Sequence, residues 1–187
     1  MDTPAVAPFR AAAQFFVDAV ASVPPERYGE PWSDQWQVLD LIGHGNRAVV
    51  LPVEYYERPV APEGPEYALP ENIAERGRQA VRDLGDDPVA AVRRAAERAL
   101  AVVAAAPDDA TVGTPFGRQS LDSYLRSRTA ELVLHGLDLG TAVEPPMEAV
   151  IESAVFLVTR AATAGRGVEV LHALSGRGTL PPGFSAY

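Results

Sequence analysis

The chain has 187 residues, a net charge of −9 and no cysteine, and its sixteen basic residues are all arginine. A length of this order suits a single domain, 1–187, with a core large enough to fold without a disulfide or structural metal. The missing cysteine and lysine exclude a disulfide-stapled domain, thiolate zinc sites, a protein-derived thiol nucleophile and a Schiff-base lysine.

A first helix is expected from about Ala5 to Ser22, where Phe9, Ala13, Phe16 and Val20 recur at helical spacing. Val23-Pro24-Pro25 stops it, and an irregular stretch follows to about Ser33. A second helix runs from Ser33 or Gln37 to about Glu57 on Val38, Leu41, Ile42, Val49 and Val50, with Pro52 expected to kink it or end its first part. Arg58 to Pro70 reads as a proline-rich loop, and a third helix starts near Glu71 and breaks at Gly85-Asp86-Asp87-Pro88. Asp87 as N-cap and Pro88 at the first helical position open a fourth helix to about Ala106, with Arg93, Arg94 and Arg98 outside. Pro107 to Gly117 reads as loop.

The next helix is expected from Leu121 to Ala142. Another follows from Pro146 to about Ala164, with Val150, Ala154, Leu157 and Val158 as its core side. A tail begins at about 165, with a short apolar piece from Val168 to Leu174 and then a Gly/Pro-rich, irregular end expected on the surface. Strand patterns are nearly absent, and 31 alanines favour helix. The expected fold class is all-α: an antiparallel four-helix bundle with extra helical segments and a short irregular C-terminal tail.

The start, MDTPAVAPFR, has no basic n-region, and the longest uncharged apolar run, 99–106, is far too short for a membrane span. The acidic balance repels nucleic-acid phosphates. A soluble, cytoplasmic protein with neither membrane nor nucleic acid as partner is expected, with a homodimer left open.

The 121–142 segment carries the chemistry. Tyr124, Arg128, Glu131, His135 and Asp138 follow at steps of four, three, four and three, a polar stripe on an otherwise apolar helix. Such a seam belongs in the bundle or facing a cavity, where ionisable groups must be paired or metal-bound. Glu131 and His135, at i and i+4, share a face and make two ligands of a divalent metal site. His44, on the second helix, is the candidate third. Two imidazoles and a carboxylate leave open positions on the ion, as catalytic sites do, and suit zinc, nickel or ferrous iron. The same residues also admit a plain reading: a Glu–His salt bridge, a hydrogen-bonded core histidine at 44, and an Arg128–Glu131 pair. His172, near the tail, is expected to be exposed and without a role.

The run Trp36-x-Val38-x-Asp40-Leu41-x-x-His44 resembles the second-helix signature of the mycothiol-dependent maleylpyruvate isomerase N-terminal domains, members of the DinB-like metal-binding four-helix bundles. Arg128-Thr129-x-Glu131-Leu132-Val133-x-His135-Gly136-x-Asp138-Leu139 resembles the same family's later signature. Glu75-Arg76-Gly77-Arg78, Leu84 to Pro88, Thr114-Pro115-x-Gly117 and Ala173 to Arg177 resemble an actinobacterial subgroup. Gly45, after the first motif's histidine, departs from the larger apolar residue often found there, and is expected to reshape the pocket wall.

The resemblance implies a metal triad of His44, Glu131 and His135, zinc being the first choice of ion, with mycothiol as the thiol cosubstrate. It implies S-transfer to a small electrophile or its cis–trans isomerisation. Arg47 and Arg128 are then candidate contacts for an anionic substrate, and Asp40 and Asp138 candidate supports for the liganding histidines. A hydrolase on the same site, or a non-catalytic metal-binding or interaction module, are the alternatives.

Overall fold

The computed structural model describes residues 3–64, 67 and 69–186. Positions 65, 66 and 68 of the expected proline-rich loop, and residues 1, 2 and 187, lie outside the described residues.

Among the described residues, seven α-helices and one hairpin follow in chain order: α1 (Val6–Ala21), α2 (Val38–Glu57), α3 (Pro70–Leu84), α4 (Pro88–Ala105), β1 (Thr111–Thr114), β2 (Gly117–Ser120), α5 (Leu121–Asp138), α6 (Met147–Ala161) and α7 (Gly167–Leu174). Helices α1, α4, α2 and α5 form a ring in which each packs on the next and α5 closes back on α1. Its interior holds Phe9, Phe16, Leu41, Ile42, Val92, Leu125 and Leu132, all fully buried. α3 leans on α2 and α6 on α5, as outriggers to the four-helix core. No described helix is long and apolar enough to cross a membrane.

Local chemistry sets the boundaries. Asp87 caps α4 by accepting from the Ala90 amide at 2.9 Å, with Pro88 following it, as expected. Gly85, at φ 66°, ends α3 in a conformation that other residues avoid. Gln37 and Asp40 cap α2 reciprocally. α2 then continues through Pro52 instead of stopping there. The proline forfeits only its bond to the Ala48 carbonyl, and packing on three neighbouring helices holds the rest.

Three expectations are corrected. The 107–117 loop contains β1, which pairs antiparallel with β2 across a two-residue turn at Pro115-Phe116. Val60 N–H donates to the Gly113 carbonyl and Glu63 N–H to that of Pro115, so the loop after α2 is laid along the hairpin. Strands of four residues are too short to display a readable alternation. The inward side of α6 is Ala149, Ser153 and Ala161, while Val150, Leu157 and Val158 are half-buried and Ala154 is exposed. Small residues let α6 lie close to α5, where Arg126 joins Glu152 at 2.7 Å and Asp122 at 3.3 Å. Met147, Ile151 and Val155 on α6, and Val168, Leu171 and Leu174 on α7, remain exposed. The tail expected from about 165 therefore begins with a helix.

Candidate metal centre and its cavity

β2 runs straight into α5, and Ser120 both ends the strand and caps the helix by accepting from the Ser123 amide at 3.1 Å. That join fixes the rotation of α5. The Tyr124–Asp138 stripe consequently faces α2, and Glu131 and His135 meet His44 there. One ligand atom from each of the three lies within 4.8 Å of the others. The His44 and His135 rings meet edge to face with centroids 4.9 Å apart, and His135 Nε2 is 3.2 Å from Glu131 Oε2. Trp36 covers the His44 ring at 4.7 Å.

Electrostatics sets the protonation of the three. Burial, and then the neighbouring His135 charge, bring His44 down to about 3, so its imidazole is neutral. Burial opposes charge on Glu131, but the His135 hydrogen bond and the Arg128 charge outweigh it and hold the carboxyl at about 2. Burial likewise opposes charge on His135, and Asp138 and Glu131 together overcome it, raising the ring to about 9. The fit to a divalent ion is tested by His44 Nδ1, which is buried and has no hydrogen-bond partner among the described residues. A buried nitrogen left unpaired is costly. A neutral imidazole and an ionised carboxylate are already in ligand form, and the set suits a metal.

A cavity of about 530 Å³ opens beside this cluster, within the usual range of small-ligand sites. His44, Arg47, Leu51 and Tyr55 bring α2 to its wall, and Ser123, Tyr124, Arg128 and Glu131 bring α5. Arg128 lies over the Tyr124 ring at 4.9 Å, with its Nε donating to Ser127 Oγ. Arg47 has no carboxylate partner among the described residues. Of the other expected residues, Asp138 Oδ2 approaches His135 Nδ1 at 3.4 Å. Asp40 instead accepts from the Gln37 amide at 2.9 Å, so it serves the start of α2 and does not hold His44. Gly45 does not face the cavity either: a Cβ there would meet the Phe16 ring of α1 at 2.5 Å. His172 is exposed on α7.

Sequence reasoning missed several lining residues. Tyr55 shares a hydrogen bond with Tyr67, hydroxyl to hydroxyl at 3.2 Å, and Arg76 stacks on Tyr67 at 3.9 Å. Phe116, at the hairpin tip, meets Tyr67 edge-on at 5.4 Å. Arg160 of α6 completes a set of four arginines against one carboxylate, Glu131, among the described lining residues. For the α2 members a signal was available and went unread, the helical spacing of His44, Arg47, Leu51 and Tyr55. The hairpin members gave no such signal, because the hairpin itself was not expected.

The model of the mycothiol maleylpyruvate isomerase N-terminal domain family matches residues 9–140, which include all three donors. A solved structure, the mycothiol-dependent maleylpyruvate isomerase, superposes with a TM-score of 0.57 at 16% identity. The match covers 82% of this chain and 66% of the other's length. It establishes the fold. No curated protein matches the chain.

Proposed function

We propose, from the premise that this chain belongs to the mycothiol maleylpyruvate isomerase N-terminal domain family, that it is a cytoplasmic, metal-dependent enzyme joining a small thiol, mycothiol, to an anionic electrophile. The observation that carries this reading is the convergence of His44, Glu131 and His135 beside a cavity rich in arginine. These three would hold the ion, zinc being the first choice over nickel or ferrous iron. A divalent ion held by them would supply the positive charge that lowers the pKa of a coordinating thiol, so that the sulfur nucleophile comes from the small thiol and not from this chain, which has no cysteine.

The chain's own residues do the rest. Arg47 and Arg128 present guanidinium groups to a carboxylate of the electrophile. Asp138 Oδ2, at ion-pair distance from His135 Nδ1, is placed to orient that ring while Nε2 turns toward Glu131. Burial pushes Tyr124 up to about 12 and raises Tyr55 further, so both stay protonated and act as neutral hydrogen-bonding groups, not bases. Attack of the thiolate on a saturated carbon of the electrophile forms the C–S bond as the leaving group departs with its bonding pair, which is S-transfer. Reversible addition to an activated double bond permits rotation and then expels the thiolate, which is cis–trans isomerisation.

Protein purified without a histidine tag should carry about one divalent ion per chain. His135→Ala should lose it and His172→Ala should keep it, read by elemental analysis. Calorimetric titration should show mycothiol binding to the metal form alone. A chain without metal in both proteins contradicts the triad, and a metal form indifferent to thiols supports the hydrolase alternative.

A further inference from the structure

His135 also borders a second depression. His44 and Glu131 line the arginine-rich cavity, whereas His135 lines a shallow groove of about 480 Å³, with Ile73 forming a wall of both. The chain's only two tryptophans, Trp32 and Trp36, are in that groove. Their rings lie 5.8 Å apart, and the series continues through Trp36 on His44 at 4.7 Å to His44 on His135 at 4.9 Å. A chain of tilted and edge-on rings thus connects Trp32, 40% exposed, to the donors, and Trp32, Trp36 and His135 are the rings that line the groove.

The groove is rigidly built. The amides of Trp32 and Ser33 both donate to the Trp36 carbonyl, at 2.8 and 3.0 Å, and Ser33 Oγ accepts from the amides of Gln35 and Trp36. Gly77 of α3 lies under the Trp36 indole, where a Cβ would come within 3.3 Å of the ring. The exposed polar side chains beside the rings are Ser33, Asp34 and Gln35, and no arginine is among the described residues that line the groove.

The two openings therefore select guests of different chemistry. The cavity, with four arginines, suits an anion. The groove offers flat apolar faces edged by hydrogen-bonding groups and one acid, which suits an uncharged polyhydroxylated ring whose C–H face stacks on indole and whose hydroxyls reach the rim. We infer that the Trp32–Trp36 groove seats the sugar portion of a glycosylated thiol, with its sulfur reaching the triad past His135, and that the arginine-lined cavity is left to the electrophile. The inference rests on the thiol reading above, since mycothiol is a cysteine thiol carried on such a neutral sugar.

The test is a titration of the zinc-loaded full chain, followed by tryptophan fluorescence and calorimetry, with mycothiol and with N-acetylcysteine, a thiol without the sugar. Mycothiol should perturb the indole emission and bind at least about tenfold more tightly than N-acetylcysteine. Trp32→Ala, at an exposed turn, should weaken mycothiol about tenfold and leave N-acetylcysteine binding and zinc content unchanged, while Trp32→Tyr restores most of the affinity. Mycothiol affinity unaffected by Trp32→Ala, or equal loss for both thiols, overturns the groove and leaves the thiol reading standing. No binding of either thiol to the wild-type zinc form overturns both.

Discussion

His135 carries the one proton that matters at the site. With its ring raised to about 9, His44 lowered to about 3 and Glu131 to about 2, the metal-free cluster near neutral pH is an imidazolium beside a carboxylate and a neutral imidazole. A metal must displace that proton. Zinc uptake at pH 6 should release about one proton per ion, read from calorimetry in buffers of different ionisation enthalpy. Zero release would contradict the assignment. In the metal-free protein, the His135 contribution to stability is full below its ordinary value of 6.5 and is lost as the pH rises toward about 9. That of Glu131 is full above 4.5 and is lost as the pH falls toward about 2. The melting temperature of the metal-free form should fall between pH 6.5 and 9, while added zinc stabilises progressively more over the same range. Asp138→Asn should lower metal affinity about 10- to 100-fold without unfolding the protein. At this scale the sequence was informative wherever two residues share a helix face: Glu131 and His135 are one turn apart, and Asp138 is the next step. It misled at Asp40, one turn before His44 yet turned back onto the helix's own first amide. The capping pair Gln37 and Asp40 was the available signal.

Helix α1 contributes no donor, yet it sets the distance between the two helices that do. Its Phe16 fills the space where a side chain on Gly45 of α2 would stand, and its Phe15 does the same over Gly136 of α5. Both glycines are next to a donor in sequence. Gly136→Ala and Gly45→Ala should each destabilise the protein by about 1–3 kcal/mol in chemical denaturation, because an aromatic ring in a closed core must move. Gly45→Ala should in addition weaken metal binding, since its Cβ would also stand 3.3 Å from that of His135. Unchanged stability in both would show that α1 is free to shift. Helices α1 to α6 were legible because 3.6-residue periodicity extends over many turns, and Asp87 with Pro88 fixed the start of α4, whereas α5 ends at Asp138 and not at Ala142, and α7 was not expected as a helix. The inward face of α6 was not legible: that helix is apolar nearly all round, so small residues chosen for close approach lose to larger ones in any reading by hydrophobicity. The hairpin escaped for want of length, and with it went the wall that brings Thr114, Phe116 and Gln119 to the cavity.

The whole molecule is acidic, with a net charge of −9, yet four of its sixteen arginines converge on one cavity. Such a local reversal of sign focuses anions toward the site while the remaining surface repels them. Arg47→Gln should weaken a dicarboxylate probe such as maleate about tenfold, and added salt should narrow the gap between variant and wild type. Equal binding in both would remove Arg47 from the substrate's path. The contrast between cavity and groove is a property of the assembled fold: α2, Tyr67, α3, the hairpin, α5 and α6 contribute walls to the one, and the 32–36 turn, α3 and His135 line the other. Composition gave the overall charge, but only packing concentrates one sign in one place. The central claim is that a borrowed sulfur reaches an ion held by His44, Glu131 and His135. X-ray absorption at the zinc edge tests it directly. Zinc-loaded protein should show a shell of nitrogen and oxygen alone, and mycothiol should add a sulfur at about 2.3 Å. A shell that stays free of sulfur with mycothiol in excess contradicts the account.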